Sequence, residues 1–285
     1  MDQVEIWGLG LMGLSLAAGL LQANTGLAVY GVDANPAAEA YARRQGVRIG
    51  RAPHPRWVVV AVPPQAVADV LSAATPRLAP GTVVTDITSV KHHVLPALAA
   101  LPGHLEVASS HPMTGRERGG GINFQPDLYR DRVWALIPVP GRPSPEGPLR
   151  ALVEPLGARV VTLPAARHDR LAARTSHLPY VSALALTNLA REDRDTEHLM
   201  GPGFLGATRT AAAPPELWSE ILDANREELL AALHDYVAEL TTWEAALSSL
   251  PIDQLRTRIQ AIQAVRMGWP ATPTAASPAP IGAGR

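Results

Sequence analysis

Short apolar runs recur through the first part of the chain: Val4-Glu5-Ile6-Trp7, Leu27 to Val32, Trp57 to Val62, Thr82 to Ile87, Leu105 to Ala108, Val133 to Ile137 and Arg159 to Leu163. Each has strand length and is bounded by Gly, Pro or polar residues, and stretches of helical spacing such as Leu14 to Leu21 and Gln65 to Ala73 fall between them. Trp57 to Val62 is almost continuously apolar, as expected of a strand covered on both faces of a parallel sheet. Near Pro164 the alternation stops. Arg170 to Arg191 then carries apolar residues at helical spacing with a kink expected at Pro179. Pro215 to Ser249 predicts one long helix, and Pro251 opens a last one. The pattern predicts an α/β domain over 1–164, an all-helical C-terminal domain over 165–269, and a Pro/Ala-rich tail over 270–285 too poor in apolar surface to order itself.

The first run leads through Gly8-Leu9-Gly10-Leu11-Met12-Gly13 into a helical stretch. That spacing of glycines is weak evidence alone; a strand before it and a helix after it make it a dinucleotide fingerprint. Gly8 allows the tight turn, Gly10 lets the backbone approach a pyrophosphate, and Gly13 lets helix and strand pack, with Leu11 and Met12 opening the helix on which the phosphates sit. Asp33 ends the second run, 20 residues beyond Gly13. A carboxylate there accepts the ribose hydroxyls of NAD and repels the extra phosphate of NADP. The alternative for Asp33 is a cap on the helix beginning near Asn35-Pro36. Val62 and Pro63, at the end of the third run, should line the cofactor. The first domain is therefore read as a Rossmann-type NAD-binding domain.

Composition narrows the partners. Lys plus Arg total 25 against 26 Asp plus Glu, leaving no broad basic field for nucleic acid or an anionic membrane, so a small metabolite is the natural ligand. The absence of cysteine excludes disulfides, thiolate catalysis and cysteine-ligated metal, and the nine histidines show no metal-binding spacing, so no metal is expected. No uncharged apolar run reaches about 18 residues and no signal-peptide pattern opens the chain, which makes the cytoplasm the expected address. The apolar faces of the helical domain suggest a homodimer built through them.

The candidate chemistry lies in Ser110-His111-Pro112-Met113-Thr114-Gly115-Arg116-Glu117, a polar, turn-prone segment after Leu105 to Ala108. An imidazole aimed out of a strand end sits where α/β enzymes keep their reacting groups. Ser89 and Lys91, after the strand Thr82 to Ile87, come out at the same edge. With these residues in hand, the chain resembles the prephenate and arogenate dehydrogenase family of tyrosine biosynthesis. The resemblance covers about residues 2 to 268. It rests on the glycine turn, Asp86 to Lys91, His111 to Gly115, Ser176-His177-Leu178-Pro179, Gly203-Phe204 through Thr208-Arg209, and then Trp218 and Asn225.

The resemblance implies NAD-dependent oxidative decarboxylation of prephenate to 4-hydroxyphenylpyruvate, with arogenate as the alternative substrate. It implies that His111 is the catalytic base, that Ser89 hydrogen-bonds the substrate hydroxyl and the histidine, and that Arg209 takes a carboxylate as a planar bidentate donor. An ordinary histidine pKa near 6.5 would suit such a base. Thr114, Arg116, Glu117, His177 and Tyr180 are the further substrate contacts. His168-Asp169 also resembles the family and is read as a polar network at the domain junction, Trp218 as packing, and His92 and His93 as surface residues. Three departures bear on specificity: Tyr180 where a second histidine is common, Gly206 where an acid is common, and Arg116 at a position usually small and polar. An added cation near the substrate would favour prephenate over arogenate, whose ammonium it repels. Two competing readings are a hydroxy-acid or imine dehydrogenase of the same plan and a nonenzymatic NAD-binding regulator. The first would rely on a lysine in the helical domain, yet the only lysine is Lys91.

Overall fold

In the computed structural model of the protein, residues 1–116, 119–192 and 195–269 are described; the readings of Glu117 and of the tail at 270–285 lie outside them. Strand β1 (Gln3–Trp7) runs through the glycine turn into α1 (Leu11–Gln22), and β2 (Ala28–Val32) into α2 (Pro36–Arg44). There follow β3 (Arg48–Ile49), β4 (Trp57–Val60), α3 (Val67–Ala74), β5 (Val83–Asp86), α4 (Leu95–Ala99), β6 (Glu106–Pro112), β7 (Val133–Pro138), α5 (Glu146–Val153) and β8 (Arg159–Thr162). They form one 8-stranded sheet in the order β3-β2-β1-β4-β5-β6-β7-β8. The strand order reverses between β1 and β4, and in such sheets the crevice beyond the strand ends at that point is where ligands bind.

The apolar runs account for the two-sided core. Val59 packs with Ile6 and Leu14 on one face, while its neighbours Val58 and Val60 pack with Val67 and Leu71 on the other. A strand covered on both sides has no position for a polar side chain, which is why this run is continuous rather than alternating. One polar exception on these strands is paired. Glu5, fully buried on β1, accepts from Arg77 at 2.6 Å and from the Trp7 indole at 2.6 Å.

The strand carrying His111 extends further than its apolar part. β6 pairs in parallel with β5 only at Glu106 and Val107, then runs antiparallel to β7, with His111 opposite Ala135. The strand expected to end at the histidine runs one residue further, to Pro112. Ser109 and Ser110 stay buried because Asp86 takes both: its carboxylate accepts from Ser109 Oγ, and its backbone oxygen accepts from Ser110 Oγ at 2.7 Å. The fully buried Lys91 ammonium completes this knot, donating to the Asp86 carboxylate at 2.7 Å, to Ser109 Oγ at 3.1 Å and to the Ser110 carbonyl at 2.7 Å. Removing either charge would leave the other buried and unpaired, a loss of roughly 3–5 kcal/mol.

Beyond Thr162 the chain is helical: α6 (Ala165–Ala172), a π-helical turn (Ala173–His177), α7 (Leu178–Ala190), α8 (Thr196–Leu199), α9 (Pro202–Thr208), α10 (Pro215–Ala224), α11 (Arg226–Ser249) and α12 (Ile252–Gly268). An α/β sheet domain followed by a helical domain is the architecture the pattern predicted. The expected kink at Pro179 takes the form of the π turn just before it, since proline has no N–H to continue the ladder. The single long helix expected over Pro215 to Ser249 is broken at Asn225, whose backbone leaves helical geometry at φ −113° and ψ 29°. Among the described residues no helix is long and apolar enough to cross a membrane.

Close contacts separate the three glycines of the turn. Gly8 holds φ +98°, a Cβ at Gly13 would lie 1.8 Å from the Gly8 carbonyl oxygen, and a Cβ at Gly10 would meet nothing within 4 Å. Gly13→Ala is therefore expected to destabilise the fold by about 1–3 kcal/mol or more, and Gly10→Ala to leave thermal unfolding of the ligand-free protein unchanged. Parallel melting curves of the two variants check this; equal losses would mean that Gly10 too is packed.

Candidate active site

One cleft of about 880 Å³ opens where the ends of β1, β4, β5 and β6 face the helical domain. Its walls bring together Gly10, Leu11 and Met12 of the turn, Val62 and Pro63 after β4, Ser89 after β5, His111, Thr114 and Arg116 of the β6 segment, and His177 and Arg209 of the helical domain. Residues some 200 positions apart in sequence thus meet across the domain junction. α1 begins at Gly10 without a side-chain cap, so its first N–H groups face this space and suit an anion. Asp33 lies outside the lining. Its carboxylate accepts from Leu9 N at 2.6 Å and from Asn35 N at 2.8 Å, so it holds the glycine turn to the end of β2, while Asn35 supplies the cap of α2.

His111 is 8% exposed, and its Nδ1 lies 2.9 Å from His168 Nε2. His168 Nδ1 lies 2.7 Å from Asp169 Oδ1. Burial alone would raise the Asp169 carboxyl, but hydrogen bonds from His168 and from the backbone N–H groups of His92 and Lys91 outweigh it and hold the group well below the usual carboxylate range. A carboxylate only accepts, so His168 carries its proton on Nδ1 and offers Nε2 as acceptor. His111 then carries its proton on Nδ1, which leaves Nε2 as the lone-pair nitrogen of a ring that lines the cleft. Burial, then the neighbouring His168, Lys91 and His177, lower the His111 pKa well below 6.5, with Asp169 opposing. This differs from the ordinary value expected from sequence. It keeps the ring unprotonated, the state that can take a proton.

His177 closes the π turn and is 1% exposed; its Nδ1 lies 3.1 Å from Asn225 Nδ2. Burial, aided by His168 and opposed by Asp169, pushes its pKa down to about 4. Tyr180 stands one turn further on α7, buried and stacked on Trp218 with ring centroids 3.8 Å apart. Trp218 lines the cleft and Tyr180 does not, so within the chain the phenol supports the wall behind the indole rather than forming it. Thr114 Oγ1 donates to the Leu128 carbonyl at 3.3 Å. Among the described residues no hydrogen bond joins Ser89 to His111, whose Nδ1 is engaged by His168. His92, read as a surface residue, also reaches Asp169 through Nδ1 at 2.8 Å. The reach of Asp169 was the part least visible in sequence; the adjacency His168-Asp169 was its only local sign. Among the described residues no group of three or more His, Asp or Glu could hold a metal ion.

A doubly wound sheet whose glycine turn shares one cleft with an unprotonated imidazole and an arginine is the plan of a nucleotide-dependent oxidoreductase. Residues 17–162 match the prephenate dehydrogenase nucleotide-binding domain and residues 164–261 the prephenate dehydrogenase dimerization domain. The chain belongs to the prephenate dehydrogenase family. It is 31% identical over 222 residues to the cyclohexadienyl dehydrogenase of Zymomonas mobilis, covering 74% of each chain. It is 28% identical over 253 residues to the prephenate dehydrogenase of Lactococcus lactis, covering 84% of this chain and 70% of that one. The crystal structure of Synechocystis arogenate dehydrogenase superposes with a TM-score of 0.79 at 27% identity, covering 94% of this chain and all of that one, 100%. Those relatives differ among themselves in named substrate, so the family sets the reaction type and leaves the substrate to be argued from the cleft.

Keeping both cleft histidines neutral has a cost in acid. Unfolded histidines titrate near 6.5, above the folded values, so in that window the unfolded chain binds more protons and stability falls as pH drops. Thermal unfolding followed from about pH 7 to about pH 4.5 is expected to show a falling Tm, with a shallower fall for His177→Gln. Equal slopes in the two proteins would show that His177 is not a group held neutral by the fold.

Proposed function

We propose that the chain oxidises prephenate to 4-hydroxyphenylpyruvate and carbon dioxide with NAD as the electron acceptor. The observation that carries this reading is the single cleft shared by the uncapped start of α1, Ser89, His111 and Arg209. His111 Nε2 takes the proton of the ring hydroxyl as the carbon beneath it gives up hydride. The ring carboxylate then leaves as carbon dioxide, its bonding pair aromatises the ring, and the phenolate oxygen recovers the proton from His111. No net proton is consumed, so the base is regenerated within one turnover. Ser89 hydrogen-bonds the same hydroxyl, and Arg209 pairs a substrate carboxylate through its planar fork. Thr114, Arg116 and His177 complete the substrate contacts, with Tyr180 acting through Trp218.

NAD, when bound, supplies the hydride acceptor. The residues present fit it: Gly10 leaves open space where a Cβ would stand, α1 presents uncapped N–H groups, and Val62 and Pro63 line the same wall. Asp33, at the end of β2, recognises the ribose while tying down the turn. We also propose a homodimer through the helical domain. Leu230, Val237 and Leu240 of α11 and Ile259, Ile262 and Val265 of α12 are each 48–58% exposed, an apolar area that a second copy would cover.

Arg116 favours prephenate, because a cation repels the ammonium of arogenate. A second reading has its own support: Glu216 and Glu220 line the same cleft, and Glu220 Oε2 is buried without a partner among the described residues, a carboxylate that would attract that ammonium. Steady-state assays of both substrates against both cofactors decide. The highest kcat/KM is expected for prephenate with NAD, and arogenate preferred by more than about tenfold would reverse the substrate assignment. Asp33→Ser is expected to narrow the preference for NAD over NADP by about tenfold or more; an unchanged ratio would remove Asp33 from ribose recognition. His111→Asn should keep NAD binding and lose activity by at least about 100-fold, and near wild-type turnover would remove His111 from its role.

A further inference from the structure

The helix break at Asn225 buries an amide beside the cleft. Asn225 is 0% exposed, and its Nδ2 lies 2.9 Å from the Asp169 carbonyl oxygen and 3.1 Å from His177 Nδ1. A carbonyl oxygen can only accept, so the amide atom facing it is the nitrogen. The flipped amide would lose that bond and set two oxygens against each other. His177 Nδ1 consequently accepts the second N–H of the amide, and the ring proton resides on Nε2. That nitrogen is buried and has no hydrogen-bond partner among the described residues, although the ring lines the cleft. Buried donors are ordinarily satisfied, so an N–H held in this way points to a ligand atom.

We propose that His177 is a donor with a locked tautomer, that its Nε2–H binds an oxygen of a substrate carboxylate, and that Asn225 is the positioning residue that sets the lock. The assignment rests on reading the cleft as the substrate site. His177 and His111 then play opposite parts, one offering a proton and the other a lone pair. Both are fixed through Asp169, by its carbonyl oxygen in one case and its carboxylate in the other. The titratable groups around His177 are Asp169, His168 and His111, and none of them bonds its Nε2.

Long-range proton–nitrogen NMR of the 15N-labelled protein at neutral pH tests the lock, with His177 assigned by its loss in His177→Gln. The expected pattern is the Nε2–H tautomer in the wild type and the Nδ1–H tautomer in Asn225→Asp, whose carboxylate demands a donor. An Nδ1–H tautomer in the wild type overturns the proposal. Kinetics test the ligand contact, with prephenate or arogenate, whichever the wild type turns over. His177→Gln places an amide near the Nε2 position and should keep KM within about threefold, whereas His177→Asn reaches only the Nδ1 position and should raise KM about tenfold with kcat little changed. Equal KM values in the two variants overturn the donor role even if Asn225→Asp fails to fold. Absence of turnover in the wild type with both substrates would instead defeat the proposed reaction, while the NMR result would still decide the tautomer.

Discussion

Asp169 is the constraint on which the cleft depends. Its Oδ1 accepts from Lys91 N at 2.9 Å and His168 Nδ1 at 2.7 Å, its Oδ2 from His92 N at 2.9 Å and His92 Nδ1 at 2.8 Å, and its carbonyl from Asn225 Nδ2 at 2.9 Å. One residue of α6 thereby fixes the loop after β5, the orientation of two histidines and the junction of α10 with α11. A carboxylate 2% exposed would ordinarily be driven toward its neutral form, yet the donors around it keep it charged. The energetic logic is one of saturation: every lone pair is met, so the buried charge is compensated and the groups that compensate it are held in place.

A second buried charge pair prepares the same site from the sheet side. Lys91 and Asp86 replace the backbone ladder where β6 leaves β5, and by holding Ser109 and Ser110 they let the strand continue to His111 against β7. A hydrophobic substitute of equal volume could match such a pair in stability. It could not supply the hydrogen bonds that the two serines and the Ser110 carbonyl require at this position.

What was legible in the sequence followed from periodic burial. The continuous run at Trp57 to Val62 and the glycine turn were readable because each is dictated by local sterics: both faces covered, a positive φ at Gly8, a close approach at Gly13. The break at Asn225 was not, because helical spacing continues across it and the cause lies in two partners, Asp169 and His177, each 48 or more residues away in sequence. The antiparallel pairing of β6 with β7 was hidden for the same reason, since the segment from Ser110 reads as polar and turn-prone until Asp86, Lys91 and β7 meet it. Tyr180 shows the converse limit. Its place in a motif suggested a contact with the substrate, but its stacking on Trp218 puts it one layer back. The sequence named side chains that line the cleft but not the network behind them, because motifs pick out the residues that face a cavity and not those that orient them.

The lowered basicity of His111 looks at first like a poor choice for the proposed base, because a weaker base has less driving force to take a proton. Its causes resolve the difficulty. Burial and the nearby Lys91, His168 and His177 set the value in the open cleft, and each acts by disfavouring positive charge. In the proposed reaction, a substrate with two carboxylates would add negative charge to the same low-dielectric space, which would favour the imidazolium and oppose the lowering of the His111 pKa. Proton affinity would then be supplied by the substrate itself. For that to work, His177 must stay neutral, since a second cation beside His111 would cancel what the carboxylate contributes. Holding its pKa near 4 and spending its Nδ1 on Asn225 achieves this while still leaving an N–H to offer.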